Sequence, residues 1–65
     1  MKILVNGAWR ELQAGGIADA LEELGYGESI VTTALNGEFV ARAARERTAL
    51  SEGDRLEVLA PMQGG

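Results

Sequence analysis

The chain has 65 residues, ten acidic and six basic side chains, a net charge of −4, 46% hydrophobic residues, and neither Cys nor His. A single domain of this length hides only about 60% of the surface its unfolded chain exposes, and without disulfides or zinc ligands its stability must come from a well-patterned apolar core. The composition excludes a Ser-His or Cys-His nucleophilic pair and a basic nucleic-acid footprint. It also lacks the run of about 18 apolar residues that a membrane span requires. No phosphate-cradling G-x-x-x-x-G-K-[ST] loop is present, and so short a fold can scarcely enclose a cleft that would tune its carboxylates for acid–base work. The expectation is a protein that is not itself an enzyme. Its opening residues lack the long apolar core of a signal peptide, so the default location is cytoplasmic.

Lys2-Ile3-Leu4-Val5 reads as a first strand, and Asn6-Gly7 supplies two residues that tolerate the positive φ of a tight hairpin turn. Ala8 to Leu12 is the returning strand. Gly15-Gly16 then breaks the pattern. Ile17, Ala20, Leu21 and Leu24 recur at helical spacing and form one apolar stripe, opposite Asp19, Glu22 and Glu23. Gly16 is the expected N-cap, a weaker one than Ser or Asp, and Gly25 the expected stop. Ile30 to Leu35 is rich in β-branched residues and predicts a third strand. A second Asn-Gly pair, Asn36-Gly37, predicts a second hairpin that returns through Glu38 to Ala41. Arg42 to Leu50 has a helix-like composition but little apolar stripe, so a short turn or irregular connection is expected there. Arg55 to Ala60 alternates as a last strand with Leu56 and Val58 on its buried face. Pro61 cannot donate to a ladder and should end the strand.

Hairpin, helix, hairpin, connection and strand describe an α+β domain over residues 1–60. Placing the last strand beside the first gives a mixed sheet of four to five strands with one main helix packed across one face, the ubiquitin-like β-grasp arrangement. Residues 61–65 are expected to be a flexible tail ending in Gly64-Gly65. Two glycines carry no Cβ and can enter a passage too narrow for other residues. A thin arm ending in one carboxylate suits threading into an enzyme that modifies it. The simpler alternative is a domain trailing off into an inert Gly tail.

Ala34-Leu35-Asn36-Gly37-Glu38-Phe39-Val40, Arg42, Thr48-x-Leu50, Gly53-Asp54-Arg55-Leu56-Glu57-Val58-Leu59 and the closing Pro61-Met62-Gln63-Gly64-Gly65 follow in an order that resembles the thiamine-biosynthesis sulfur carrier family, ThiS. Ile3-x-Val5-Asn6-Gly7 and Ile17-Ala18-x-x-Leu21-x-x-Leu24-Gly25 agree with it as well. The resemblance covers essentially the whole chain. Two departures are the absence of Ser or Thr at the helix entry and of an aromatic residue after Arg42.

The resemblance implies that the carboxylate of Gly65 is adenylated with ATP by an E1-like, ThiF-type adenylyltransferase and converted to a thiocarboxylate. The sulfur would come from cysteine through a desulfurase-type donor and pass to a ThiG-type thiazole synthase. Gly64, Gln63 and Met62 would enter the partner sites. This chain would bind no cofactor; ATP and any metal would belong to the partner. An ionised carboxylate is a poor electrophile, so AMP would supply the leaving group. Five extended residues reach roughly 17 Å at about 3.3–3.6 Å each, enough to carry the terminal carbonyl into a buried active site. Phe39 and Leu59, with Met62, are either core or an apolar docking surface near the tail. Trp9 is either partly buried packing or a partner contact. The acidic helix face reads as solvated surface, and Arg42, Arg45 and Arg47 either as solvated surface or as a dock for an acidic partner. Alternative functions are the small subunit of molybdopterin synthase, a ubiquitin-like modifier joined to lysines, and an interaction module with an inert tail.

Overall fold

Two Asn-Gly pairs set the hairpins. Asn6 and Gly7 lie at φ 49° and 84°, Asn36 and Gly37 at φ 52° and 88°, the double positive-φ pattern whose twist matches that of the flanking strands. A computed structural model of the chain describes residues 1–27 and 29–60. Its elements are β1 (Lys2–Val5), β2 (Ala8–Glu11), α1 (Ile17–Glu23), β3 (Thr32–Leu35), β4 (Glu38–Val40), a 3-10 helix (Arg42–Arg47) and β5 (Arg55–Leu59). The expected tail, with Met62, Gln63, Gly64 and Gly65, lies outside the described residues.

The strands form one sheet in the order β2-β1-β5-β3-β4. β1 and β5 run parallel, while the β1–β2, β3–β4 and β3–β5 pairs are antiparallel. The first and last strands thus lie side by side at the centre, as the β-grasp arrangement requires. Ile3 and Val5 of β1, Leu56 and Val58 of β5, and Ile17, Ala20 and Leu21 of α1 are buried together in the core. Leu12 and Leu50, just outside the strands, join them. Among the described residues no helix is long and apolar enough to cross a membrane.

The helix entry explains its missing Ser or Thr. Gly16 is the N-cap and makes no side-chain cap bond. The Ile17 N–H donates to the Thr48 carbonyl at 3.0 Å, so a distant segment satisfies one of the free donors of the helix start. A Cβ at Gly16 would stand 3.3 Å from that same carbonyl oxygen, which is why the smallest residue suits the crossing.

Several local expectations are corrected. The third strand begins at Thr32, not Ile30, and Ile30 is 79% exposed. Arg42–Arg47 forms a 3-10 helix with no buried residue rather than an irregular connection. It is held by polar bonds: Arg45 Nε donates to Thr33 Oγ1 at 3.1 Å and Arg45 Nη2 to the Val31 carbonyl at 2.6 Å. Arg45 is therefore an internal strut instead of solvated surface. Leu24 is only partly buried. Trp9, weighed as partly buried packing, is 56% exposed, because β2 is an edge strand and no layer covers its outer face.

The acidic helix face is also not uniformly idle. The Glu23 carboxylate accepts the Gln13 N–H at 3.0 and 2.9 Å and the Ala14 N–H at 2.9 Å. It ties the end of α1 to the segment that leaves β2. Bonds to charged acceptors are worth about 1.5–3 kcal/mol, toward the low end where water competes. Glu23→Ala is expected to cost about 1–2 kcal/mol in urea denaturation, with Glu23→Gln recovering part of the loss because its amide oxygen still accepts. Equal stability of all three proteins would refute this role.

Candidate functional site

Side chains alternate across a strand, so the registers decide which residues share the sheet face opposite α1. β5 buries Leu56 and Val58 and exposes Arg55, Glu57 and Leu59. Leu59 pairs with Thr32, and Ala34 pairs with both Glu57 and Phe39. Leu59, Thr32, Ala34, Phe39 and Glu57 therefore lie on one open face that runs from β5 across β3 to the edge strand β4. Phe39 is 70% and Leu59 66% exposed. The structure resolves the choice between core and surface for both: they are surface. Met62, grouped with them in the sequence reading, falls outside the described residues.

Beside Leu59 the small residues Thr32 and Ala34 leave a shallow concavity of about 130 Å³, lined by Asn6, Thr32, Thr33, Ala34, Glu57 and Leu59, with Phe39 next to Ala34 across the β3–β4 pair. Large apolar groups flanking a dip, with Glu57 beside them, suit a partner that brings an apolar side chain and a donor. Leu59 is the last residue of β5, so the patch adjoins the point where the chain leaves the sheet. Trp9 shares the open face: it pairs with Leu4, which pairs with Arg55. It stands at the opposite edge, two strands from Leu59, and is not brought into the patch.

The turn asparagines hold the two ends of β5, Asn6 the end beside the patch and Asn36 the end away from it. Asn6 Oδ1 accepts the Val58 N–H at 2.8 Å and its Nδ2 donates to the Val58 carbonyl at 3.0 Å. Asn36 Oδ1 accepts the Arg55 N–H at 2.9 Å and its Nδ2 donates to Asp54 Oδ1 at 3.1 Å. Each hairpin turn thereby grips one end of β5. Sequence reasoning identified both residues as turn formers and missed these bonds, along with Thr32 and Ala34 as the floor of the patch. Each depends on strand order, which no local pattern carries.

The family model of the ThiS family matches residues 3–65. The chain belongs to the ThiS family. Two solved structures of a ThiS thiamine biosynthesis protein from Geobacter metallireducens are similar to it at 32% identity. The crystal structure has a TM-score of 0.83, with all of both chains covered. The solution structure has a TM-score of 0.81, covering all of this chain and 88% of the other. A protein named thiazole synthase from Paramagnetospirillum magneticum is 35% identical over 66 residues, which span all of this chain but only 20% of that protein. The ThiS-like segment is thus about a fifth of that relative.

Proposed function

We propose that this chain is a sulfur carrier for thiazole formation in thiamine biosynthesis, a protein co-substrate and not a catalyst. In this reading the Gly65 carboxylate attacks ATP on a ThiF-type, E1-like enzyme, forming an acyl-adenylate and releasing pyrophosphate. The terminal sulfur of a persulfide on a cysteine desulfurase-type donor then forms a C–S bond at that carbonyl as the C–O bond to AMP breaks, and a thiol reductant cleaves the remaining S–S bond, leaving a disulfide on the donor side. The resulting thiocarboxylate yields its sulfur to a ThiG-type thiazole synthase. Gly64, Gln63 and Met62 occupy the partner's entry channel, where a side-chain-free Gly64 fits a narrow passage. The reaction uses ATP and cytoplasmic enzymes, so the chain works in the cytoplasm.

The single observation that carries this reading is a family match that runs through the terminal diglycine, residues 3–65, on a fold that resembles ThiS structures along its whole length. The thiazole branch is favoured over molybdopterin synthase by the relative named thiazole synthase, which contains a segment similar to this chain. The test is intact-mass spectrometry after incubation with the E1-like enzyme, Mg-ATP and a sulfur source. The expected gain equals the difference between one sulfur and one oxygen atom. An unchanged mass refutes the carrier reading, and isopeptide adducts on lysines would make the chain a modifier instead.

Phe39 and Leu59 are the proposed docking residues for the E1-like enzyme. Both are exposed, so Phe39→Ser and Leu59→Ser should each alter folding stability by no more than about 0.5 kcal/mol. Central apolar anchors are commonly worth about 2 kcal/mol or more at an interface, and 1.4 kcal/mol is a factor of ten. The double variant is expected to bind the enzyme at least tens of times more weakly in calorimetry. Undiminished affinity would move the docking surface elsewhere.

A further inference from the structure

If the carrier reading holds, the reacting carbonyl lies beyond Ala60, and the last stretch of β5 aims it. β1 supports that stretch incompletely. It pairs with β5 only through Leu4↔Arg55 and Val5↔Leu56, and its last backbone bond to β5 is the Asn6 N–H donating to the Leu56 carbonyl at 3.0 Å. At Asn6 the chain turns away with φ 49°. On this side of β5 the next outward N–H and carbonyl are those of Val58, and no further strand residue is present to meet them. The Asn6 side chain does so: Oδ1 takes the N–H at 2.8 Å and Nδ2 reaches the carbonyl at 3.0 Å. One acceptor and one donor on the same residue reproduce what a peptide unit of a longer β1 would offer.

We infer that Asn6 is a positioning residue for the C-terminal transfer reaction, its amide replacing a missing piece of β1 so that Val58 and Leu59 stay in the sheet and the chain departs at a fixed point. The inference rests on the proposed carrier function and goes beyond it. Asn6 also lines the concavity beside Leu59, so releasing Val58 disturbs the docking patch and the origin of the arm together. β3 still holds the other side of β5 through Thr32↔Leu59, so the loss is local. Losing the Val58 grip would leave β5 secured on its β1 side only as far as Leu56.

Asn36 is the control. It sits in the same kind of turn at φ 52° and grips the opposite end of β5, at Arg55 and Asp54. If turn amides only stabilise the fold, loss of either should matter alike. Glycine accepts the positive φ of both turns, so Asn6→Gly and Asn36→Gly remove the amides while keeping the hairpins. Asn6→Asp keeps the acceptor for the Val58 N–H and serves as the second variant should Asn6→Gly fold poorly.

The experiment combines amide hydrogen exchange by NMR with steady-state adenylation by the E1-like enzyme. In Asn6→Gly, Val58 is expected to exchange about tenfold faster while Ile3 keeps its protection, the mark of a local opening. The KM for adenylation should rise about tenfold with kcat within about twofold, because docking is weakened before the enzyme takes hold of the arm. Asn6→Asp should restore part of the Val58 protection, and Asn36→Gly should leave KM within about twofold of the intact chain. Unchanged Val58 exchange in Asn6→Gly, or equal KM effects of the two glycine variants, would overturn the inference. Failure of the intact chain to be adenylated at all would sink the carrier reading instead, and the exchange measurement would still decide whether the amide holds Val58.

Discussion

Deleting Gly65 is expected to lower adenylation on the order of a hundredfold or more while moving the melting temperature by no more than about 2 °C. The truncated chain still ends in a carboxylate, that of Gly64, so chemical competence is not what is lost. What is lost is reach, one residue or about 3.3–3.6 Å. A reacting group misplaced by even about 1 Å can cost a hundredfold in rate. Stability should hold because, among the described residues, the buried cluster runs from Ile3 to Val58. Gly65→Ala separates reach from width: it restores the length but adds a Cβ to the residue that the proposed passage would have to admit, so its rate should fall between the two. Normal turnover of the truncated chain would place the reacting carbonyl elsewhere. A large drop in melting temperature would make the terminus part of the fold. Pyrophosphate release and circular dichroism supply the two readouts.

Leu56→Ala is expected to be the most damaging core substitution. Leu56 is 0% exposed on the strand at the centre of the sheet, opposite Val5 on one side and Leu35 on the other. Truncating a buried Leu costs about 2–5 kcal/mol, against a total of roughly 0.05–0.15 kcal/mol per residue for a folded domain. For a chain of this size each kcal/mol moves the melting temperature by about 4–8 °C, so thermal denaturation should show a fall of about 10–30 °C. Leu24→Ala, at a partly buried position, should cost less than half as much. Leu59→Ala, on the same strand but facing outward, should cost almost nothing. If Leu59→Ala destabilised as strongly as Leu56→Ala, the two faces of β5 would have been assigned the wrong way round.

Those faces were half legible in the sequence. The alternation Leu56, Glu57, Val58 marked the buried side, and both Asn-Gly turns and the Ile17–Leu21 stripe were readable for the same reason: each is a local pattern with one physical meaning. The remainder depended on neighbours. Ile30 belongs to a β-branched run, yet β5 ends at Leu59 opposite Thr32 and β4 at Val40 opposite Thr33, so Ile30 has no strand beside it. The 3-10 helix has no apolar period because Arg45 holds it with hydrogen bonds to Thr33 of β3 and to Val31 just before that strand. Phe39 was ambiguous because a short strand between polar residues gives no sign of which face a helix will cover. Only its register with Ala34 places it on the open side.

The parallel contact between β1 and β5 has an outcome for how the protein comes into being. A pairing between the first and last described strands is a contact of long sequence separation, formed late and at an entropic cost. The central partner of both hairpins is β5, which follows every other described element along the chain, so the sheet can close only after β5 has been made. Nascent chains arrested before Arg55 should remain protease-sensitive throughout, and protection should appear only once β5 has emerged. The closed sheet, and with it the open face that carries Phe39 and Leu59, thereby exists only in molecules whose synthesis has passed β5.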